Sequence, residues 1–516
     1  MSHLVILPVI LPAVMGPFIV MVLRHHLSLT RIFSVGATVA LVAVSLMLLA
    51  KASTGAVLTY ELGDWPAPFG IVLVLDRLSA LMVVLTAVLA LIVLLYVIGS
   101  RWDARGQLFH ALYQFQLMGL MGAFLTGDAF NLFVFFEVLL IASYGLMIHG
   151  GGGTRFRAGV QYVVYNLVGS AIFLFALGTI YAVTGTLNMA DLAEKVAALP
   201  AGDSALIRVG AVLLLLVFAI KAAVLPLHFW LPATYANAPL PVAALFAIMT
   251  KVGAYSILRM YTLVFGPDVA VTAGLAGDWL LPAALATLAL GSVGILGARE
   301  LGRLVAFGAI ASVGTLLVAI SMFTQTAAAA GIYYMIHSTL ATAALFLVAD
   351  LVTERRGSAI AVARPMPQTG LISAFYFAGA IGLAGMPPLS GFIGKLFIMD
   401  AARTDPMMTT IWTVILVTSL ITLVGLARTG SILFWRPFDP ANGFEPRAEE
   451  PEEEDNHPTW VMRPHPRTLP FVATGALLTT LGLLTVFAGP VMSYAQATAE
   501  QLFEPSAVID TVLRRP

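Results

Sequence analysis

Residues 213–255 read LLLLVFAIKAAVLPLHFWLPATYANAPLPVAALFAIMTKVGAY. The stretch predicts two membrane-spanning helices separated by a proline-rich break, because each apolar segment is long enough to cross a bilayer. Lys221 and Lys251 lie near the middle of these segments, and His228 and Trp230 lie at the break. A charge at membrane depth costs free energy and is rarely present without a function. The stretch therefore indicates an ion path through a membrane.

The composition of the whole chain agrees with a polytopic membrane protein. Of 516 residues, 59% are hydrophobic and only 10% are charged, whereas a soluble globular protein carries roughly a quarter charged residues. The formal net charge of zero argues against a nucleic-acid partner, which would require a basic face. The absence of cysteine excludes disulfides and cysteine-ligated iron–sulfur clusters from this chain. We expect no cofactor, so any coupled redox reaction would take place in another subunit.

Hydropathy predicts an all-α polytopic membrane protein with about fourteen transmembrane helices, each close to the ~20 residues that a bilayer requires. The predicted spans are 4–23, 32–50, 72–98, 109–126, 129–149, 159–184, 207–226, 240–265, 276–297, 302–322, 327–349, 371–398, 408–434 and 469–491. Residues 54–70 are partly alternating and rich in turn residues, which predicts a short β-hairpin outside the membrane. An even number of spans places both termini on one side.

Arginine is concentrated in one set of alternate loops, and the positive-inside rule makes that set cytoplasmic. The set comprises Arg24, Arg31, Arg101, Arg105, Arg155, Arg157, Arg299, Arg303, Arg355, Arg356 and Arg364. Both termini are then predicted on the outer side. The loop 435–468 is predicted to be cytoplasmic and carries the acidic run EEPEEED at 449–455. Such a run can attract cations, but a block of like charge with proline is more typical of a solvated linker.

Five titratable side chains fall deep inside predicted spans. Glu137 follows the loop residue Asp128 by nine positions, which places it roughly 14 Å into the membrane at about 1.5 Å per residue. Helical rise likewise places Lys221, Lys251 and His337 at depth. The fifth, Lys395, ends a second broken segment, GLAGMPPLSGFIGK at 382–395. Such breaks persist in membranes only where protein or a water-filled cavity satisfies the freed backbone groups.

Each of these side chains, taken alone, has a structural explanation. A single intramembrane histidine such as His337 is often a hydrogen-bonded packing residue, and an ion pair between Glu137 and Lys221 can be purely architectural. The set as a whole favours a proton relay, because each member can hold and pass a charge in a low dielectric. Asp76 with Arg77, and also Arg259, lie near span ends, and we interpret them as anchors at the membrane surface.

The two broken helices indicate an internal repeat. Their lysines lie in the seventh and twelfth spans, five spans apart, and interrupted helices at corresponding places mark the ion site in inverted-repeat transporters. We therefore predict two inverted repeats, spans 4–8 and 9–13, each with one broken helix. The predicted organisation is N-terminal helices with the outer hairpin at 1–108, the first repeat at 109–265, the second at 276–434, the acidic loop at 435–468, and the last span with the C-terminal tail at 469–516.

Three motifs resemble a known family: FFE at 135–137, KAAVLPLHFWLPATYANAPLPVAALFAIMTKVG at 221–253, and GMPPLSGFIGK at 385–395. They are similar to the antiporter-like subunits of respiratory complex I, membrane-bound hydrogenases and multisubunit Mrp-type Na⁺(K⁺)/H⁺ antiporters, over about residues 72–430. Within this family, the chain length, the acidic loop and the lysine of GFIGK most resemble the D-type subunit of the Mrp antiporters. The resemblance implies partner subunits of types A, B, C, E, F and G, membrane lipids around the chain, and a bacterial inner membrane.

The resemblance also implies roles for the five side chains. Glu137 matches the fifth-helix glutamate, Lys221 the seventh-helix lysine beside it, Lys251 the central eighth-helix lysine, and Lys395 the twelfth-helix exit residue. Larger members carry a lysine about one turn after the eleventh-helix histidine, whereas Ala341 and Thr342 follow His337 here. Water would therefore have to bridge the relay in that helix. The chain also lacks the C-terminal extension of the A-type subunit.

We therefore expect a secondary active cation/proton antiporter subunit rather than an enzyme. Protons would move along Lys221, Lys251, His337 and Lys395, with Glu137 modulating Lys221. One alternative is an N-type proton-pumping subunit of an NADH:quinone oxidoreductase, which has a similar GFIGK motif. Another is a structural subunit that supports a partner transporter. Neither the exchanged cation nor the subunit that carries it follows from the sequence.

Overall fold

A computed structural model describes residues 3–200, 202, 204–363, 365–436 and 468–514. Nearly all of the predicted acidic loop at 435–468, including its acidic run, lies outside the described residues, as does Arg364. The described chain is mostly helical, with one two-stranded sheet. The predicted all-α membrane fold is confirmed.

The described residues form twenty α-helices and two strands. The helices are α1 (Leu7–Phe18), α2 (Leu27–Ala52), α3 (Arg77–Ser100), α4 (Phe109–Leu125), α5 (Ala129–Met147), α6 (Gly153–Thr184), α7 (Met189–Ala197), α8 (Ala205–Ala222), α9 (Trp230–Asn237), α10 (Leu240–Phe246), α11 (Met249–Leu263), α12 (Leu275–Gly297), α13 (Leu301–Ser321), α14 (Gln325–Arg356), α15 (Thr369–Ala384), α16 (Ser390–Ala401), α17 (Met408–Gly430), α18 (Thr468–Val486), α19 (Ala488–Phe503) and α20 (Ser506–Val512). The strands are β1 (Leu58–Glu61) and β2 (Val72–Leu75).

Eleven helical segments of the described chain are long and apolar enough to cross a membrane. Two shorter apolar helices, Leu7–Leu23 and Thr369–Ala384, correspond to further predicted spans, and α4 corresponds to the predicted span at 109–126. The multi-pass architecture is therefore present, while the count of fourteen crossings and the inverted repeats remain predictions.

The core lies at α10, α11, α13 and α14, where nearly every residue is buried. By contrast, α2, α6, α17 and α18 keep large apolar side chains exposed along one face. In α6 these exposed residues include Val164, Leu167 and Phe175. An apolar exposed face is stable only against lipid or another protein, so the outer helices form the membrane-facing layer.

The predicted hairpin exists, but its second strand lies further along the chain than expected. Strand β1 pairs antiparallel with β2, with Leu58 opposite Leu75. Hydropathy assigns residues 72–75 to the start of the third span, and that prediction is wrong. The sequence VLVL is apolar and fully buried, and a short apolar run cannot be assigned to strand or helix by periodicity alone. Helix α3 begins only at Arg77, where Asp76 and Ser79 form a capping box.

Both chain ends lie at the hairpin end of the molecule. The ring of His3 packs edge-on against Tyr60, with 5.7 Å between ring centroids. Near the other terminus, Arg514 forms an ion pair with Glu61. The described ends of the chain, at His3 and Arg514, therefore share one end of the bundle.

Both predicted helix breaks are present, and a third break lies between them. Helix α8 ends at Ala222, where Ala223 adopts a left-handed conformation with φ of 58°, and helix resumes at Trp230. Helix α15 ends at Ala384, and α16 begins at Ser390. The third break is milder: between α10 and α11, just before Lys251, Ala247 and Ile248 keep a right-handed backbone, but their amides bond three residues back instead of four. The sequence does not indicate it, because residues 244–250 contain no glycine or proline.

Candidate functional site

Lys221 lies in the last turn of α8, directly before the first break. The residue is 5% exposed, and its Nζ donates a hydrogen bond to Oδ1 of Asn166 at 3.1 Å. The break itself is held by protein groups: the Trp230 indole N–H donates to the Ile220 carbonyl at 2.9 Å. The Leu225 amide donates to Oγ1 of Thr287 at 2.9 Å. Satisfied backbone groups allow an irregular segment to persist inside a membrane.

Glu137 lies on α5, and its partner is a hydroxyl on α6. The Ser170 hydroxyl donates its hydrogen to the Glu137 carboxylate, and its oxygen also lies 3.0 Å from the Asn166 carbonyl oxygen. Glu137 and Lys221 do not form the direct ion pair that we expected. Asn166 and Ser170, one turn apart on α6, bind the two charged groups separately. Two polar residues four positions apart in an apolar helix are the sequence signal that could have identified them.

Lys251 lies in the first turn of α11, immediately after the third break. It is fully buried, and among the described residues its Nζ has no hydrogen-bond partner. An unpartnered buried amine is costly, so such a position is seldom purely structural. The central lysine is thus the least constrained of the three.

His337 lies in the middle of α14, against the break between α15 and α16. Its Nδ1 is hydrogen-bonded to the Ser390 hydroxyl at 2.9 Å, whereas its Nε2 has no partner in the described part of the chain. A Cβ at Gly391 would lie 2.7 Å from that Nε2 and 2.1 Å from the Gly382 carbonyl. Only glycine allows α16 to approach the imidazole this closely.

Lys395 lies on α16 and binds the other side of the same break. Its Nζ donates to the Ala384 carbonyl at 2.9 Å and to the Ser419 hydroxyl at 2.8 Å. The amine therefore satisfies a carbonyl left free by the end of α15, where a positive group is favoured. The structure thus brings His337 and Lys395 to the two sides of one helix break.

No lysine follows His337 on α14. Ala341 and Thr342 are both fully buried, and the Thr342 hydroxyl has no partner among the described residues. The structure therefore offers a polar atom, but no titratable group, about one turn after His337.

Asp76 and Arg259 correct a further expectation. The sequence favours a surface anchor for each, but they form a buried ion pair, with exposures of 1% and 6%. Arg259 Nη2 lies 2.9 Å from Asp76 Oδ1 and 3.2 Å from the Tyr255 hydroxyl. The partners are 183 residues apart in sequence, so neither could be assigned to the other from a local pattern.

The described residues contain no group of three or more His, Asp or Glu side chains placed to hold a metal ion. The arrangement is instead a series of single titratable groups beside helix breaks, which suits the movement of protons through a low dielectric.

Comparisons with known proteins agree with this geometry. The family described as NADH:quinone oxidoreductase/Mrp antiporter, transmembrane, matches residues 126–422. The D subunit of a probable K⁺/H⁺ antiporter of Rhizobium meliloti (strain 1021) is 38% identical over 552 residues, covering 100% of this chain and 98% of that protein. The D subunit of the Na⁺/H⁺ antiporter of Bacillus subtilis (strain 168) is 38% identical over 521 residues, and the match covers 100% of both chains.

Among solved structures, a chain of the Mrp complex from Dietzia sp. DQ12-45-1b superposes with a TM-score of 0.87 at 28% identity, covering 99% of this chain and 100% of that one. The similarity covers the full length of the chain in both sequence and structure, and it agrees with the family resemblance of the motifs at 135–137, 221–253 and 385–395. The chain belongs to the NADH:quinone oxidoreductase/Mrp antiporter transmembrane family.

Proposed function

We propose that this chain is the D-type subunit of a hetero-oligomeric antiporter that exchanges a monovalent cation, Na⁺ or K⁺, for protons. The observation that carries the proposal is the burial of three lysines within one bundle: Lys221 and Lys395 beside helix breaks, and Lys251 directly after the turn between α10 and α11. The full-length relatives, which are named as D subunits of K⁺/H⁺ and Na⁺/H⁺ antiporters, support the same assignment.

Protons move along Lys221, Lys251, His337 and Lys395 in this proposal. Lys221 and Lys395 lie beside segments where the backbone has left the helix, and His337 packs against the second of these segments. Water that enters there can connect one group to the next. Glu137 modulates Lys221 through the polar pair on α6 rather than by direct contact, since Ser170 binds the carboxylate and Asn166 binds the amine.

A respiratory N-type subunit remains the second candidate, because the family includes such proteins. It is less well supported, since both relatives at 38% identity over the full chain are antiporter subunits. A purely structural subunit is the third candidate. A purely structural role does not explain why the Lys251 amine is buried with no hydrogen-bond partner among the described residues.

The proposal extends to the setting of the chain. The protein lies in the bacterial cell membrane, with the hairpin and both termini on the outer side and the arginine-rich loops in the cytoplasm. Its partners are the A, B, C, E, F and G subunits of the complex. The two repeats at 109–265 and 276–434 each contain a lysine beside a break between helical halves, which supports the proposed internal symmetry.

Charge-removing substitutions in the intact complex test the function. We expect Glu137→Gln, Lys221→Ala and Lys251→Ala each to lower cation-dependent proton flux in membrane vesicles by at least about a hundredfold, the range for loss of a proton-transfer group. Glu137→Asp should retain part of the activity, because it keeps the charge.

Lys195→Ala is the matched control, since the side chain of Lys195 lies on the surface of α7, where it pairs with Asp191. It should transport at the wild-type rate. The amount of assembled complex is measured on a native gel for every variant. Wild-type flux from Lys251→Ala in a correctly assembled complex would leave only the structural interpretation.

A further inference from the structure

We propose that Tyr255, together with the Asp76–Arg259 ion pair, forms a proton passage between Lys251 and the end of the molecule that carries the β-hairpin. This inference rests on the proposed antiport function and adds an access route to its central lysine. The route runs through the first repeat and does not use the break at Lys395.

The first observation is a polar stripe along α11. Lys251, Tyr255 and Arg259 are spaced by four residues, which places them on one helix face about 6 Å apart per step. All three are buried, with exposures of 0%, 2% and 6%. Polar side chains aligned at membrane depth are expensive unless they serve a pathway or a fixed network.

The second observation is that the hydroxyl of Tyr255 connects to the ion pair. The hydroxyl donates to the Phe124 carbonyl at 2.7 Å and accepts from Arg259 Nη2 at 3.2 Å. Arg259 in turn holds the Asp76 carboxylate. At the other end of the stripe, the Lys251 amine has no partner among the described residues. A water molecule beside that amine would complete a chain of hydrogen bonds to Asp76.

The third observation is a small cavity at the outer end of this stripe. Tyr255 and Arg259 line it together with Thr126 on the loop after α4, Ala190 on α7 and Val512 on α20. It offers about 10 Å³ of space, close to the minimum that holds one water molecule. The cavity therefore admits water but no hydrated metal cation, and the guanidinium beside it repels cations.

These contacts define a route for the proton. In the relay, the Tyr255 hydroxyl turns from the Phe124 carbonyl and gives its own proton, through a water molecule, to the neutral Lys251 amine, which becomes an ammonium. The hydroxyl oxygen takes a replacement proton from water in the cavity, and the reverse sequence releases the proton. Arg259 keeps its charge throughout, since guanidinium does not deprotonate in proteins. Its role is to orient the hydroxyl and to keep metal cations out of the passage.

A pair of tyrosine substitutions on α11 tests the passage in the assembled complex. Tyr255→Phe removes the hydroxyl on the stripe. Tyr261→Phe is the matched control, because Tyr261 is equally buried on the same helix and its hydroxyl also donates to a backbone carbonyl, that of Ala211. Cation-dependent proton flux and thermal stability are measured for both variants beside the wild type.

We expect Tyr255→Phe to lower the flux by at least about a hundredfold, the range for loss of a proton-transfer group, and Tyr261→Phe to keep the wild-type rate. Both variants lose a buried hydrogen bond to a backbone carbonyl, and Tyr255→Phe also loses the bond from Arg259 Nη2, so its thermal stability should fall further than that of Tyr261→Phe. Equal flux in the two variants would overturn the passage. An inactive wild-type complex would instead overturn the proposed function.

A second variant decides the outcome if Tyr255→Phe does not assemble. Ala190→Leu fills the cavity from α7 and substitutes neither Tyr255 nor a residue of the ion pair. We expect it to slow proton flux by about a hundredfold, because a filled cavity excludes the water that starts the relay. Wild-type flux from an assembled Ala190→Leu complex would refute the passage.

Discussion

Asp76 both pairs with the buried Arg259 and caps helix α3, and one substitution can remove its negative charge while keeping the cap. Asp76 Oδ1 accepts from the Ser79 amide at 2.8 Å at the start of α3, and asparagine caps a helix about as well as aspartate. Asp76→Asn therefore keeps the cap but leaves the Arg259 guanidinium uncompensated. Breaking a buried ion pair in this way costs about 3–5 kcal/mol. We expect that loss in the free energy of unfolding, since both residues are more than nine-tenths buried.

The measurement is unfolding of the purified protein in detergent micelles under a titration with a denaturing detergent. Asp64→Asn is the control, because Asp64 is an exposed carboxylate in the neighbouring hairpin loop and surface substitutions usually change stability by less than about 0.5 kcal/mol. Equal stabilities of the two variants would refute the reasoning. That result would mean that water reaches Arg259, so that Asp76 no longer compensates a desolvated charge.

Two further predictions concern the arginine-rich end and the orientation of the chain. Burial opposes ionisation of Asp103, but hydrogen bonds and charge from His110 and Arg31 outweigh it and hold the pKa of the carboxyl below its ordinary value of 3.8. The ionised carboxyl therefore stabilises the fold above about pH 4, and this stabilisation is lost as the pH falls through the lowered pKa. In the same unfolding assay, Asp103→Asn should lower the free energy of unfolding by about 2 kcal/mol at pH 7. The loss should become progressively smaller below pH 4. Because the chain has no cysteine, single cysteines introduced as Thr54→Cys and Thr154→Cys can show on which side of the membrane each loop lies. A membrane-impermeant thiol reagent should label only Thr54→Cys in intact cells. Labelling of Thr154→Cys alone would mean that the orientation is the opposite of the one proposed.

Four of the five side chains of the proposed relay, all but the half-buried Glu137, are buried, as counting along their helices predicts. The helix breaks beside Lys221 and Lys395 could also be predicted, because proline and glycine, which end helices for local steric reasons, lie next to these lysines. No proline or glycine predicts the break before Lys251. It forms in AALFAIMT, a sequence compatible with helix, so its cause lies in the packing of α10 and α11 in the buried core rather than in local propensity.

The contacts between distant segments could not be predicted in the same way. Asp76 and Arg259 each lie near a span end, where a surface position is the ordinary expectation, and only the fold shows that the two ends meet. Similarly, Glu137 and Lys221 are both placed at mid-membrane by their sequence, but the distance between them depends on how α5 and α8 pack against α6. Because α6 supplies Asn166 and Ser170 at that junction, the two charges need not touch.

The three lysines differ in how firmly the protein holds them, and the difference bears on the proposed path. Lys395 is bound by a helix-end carbonyl and a hydroxyl, Lys221 by one side-chain amide, and Lys251 by no group in the described chain. A charge held by oriented dipoles is stabilised in place, whereas an unpartnered group depends on water for every exchange. The centre of the bundle therefore depends most on hydration. A route that brings water from one face to Lys251 would control the transfer of protons between the two halves, which is why the tyrosine on α11 is the most informative position to change.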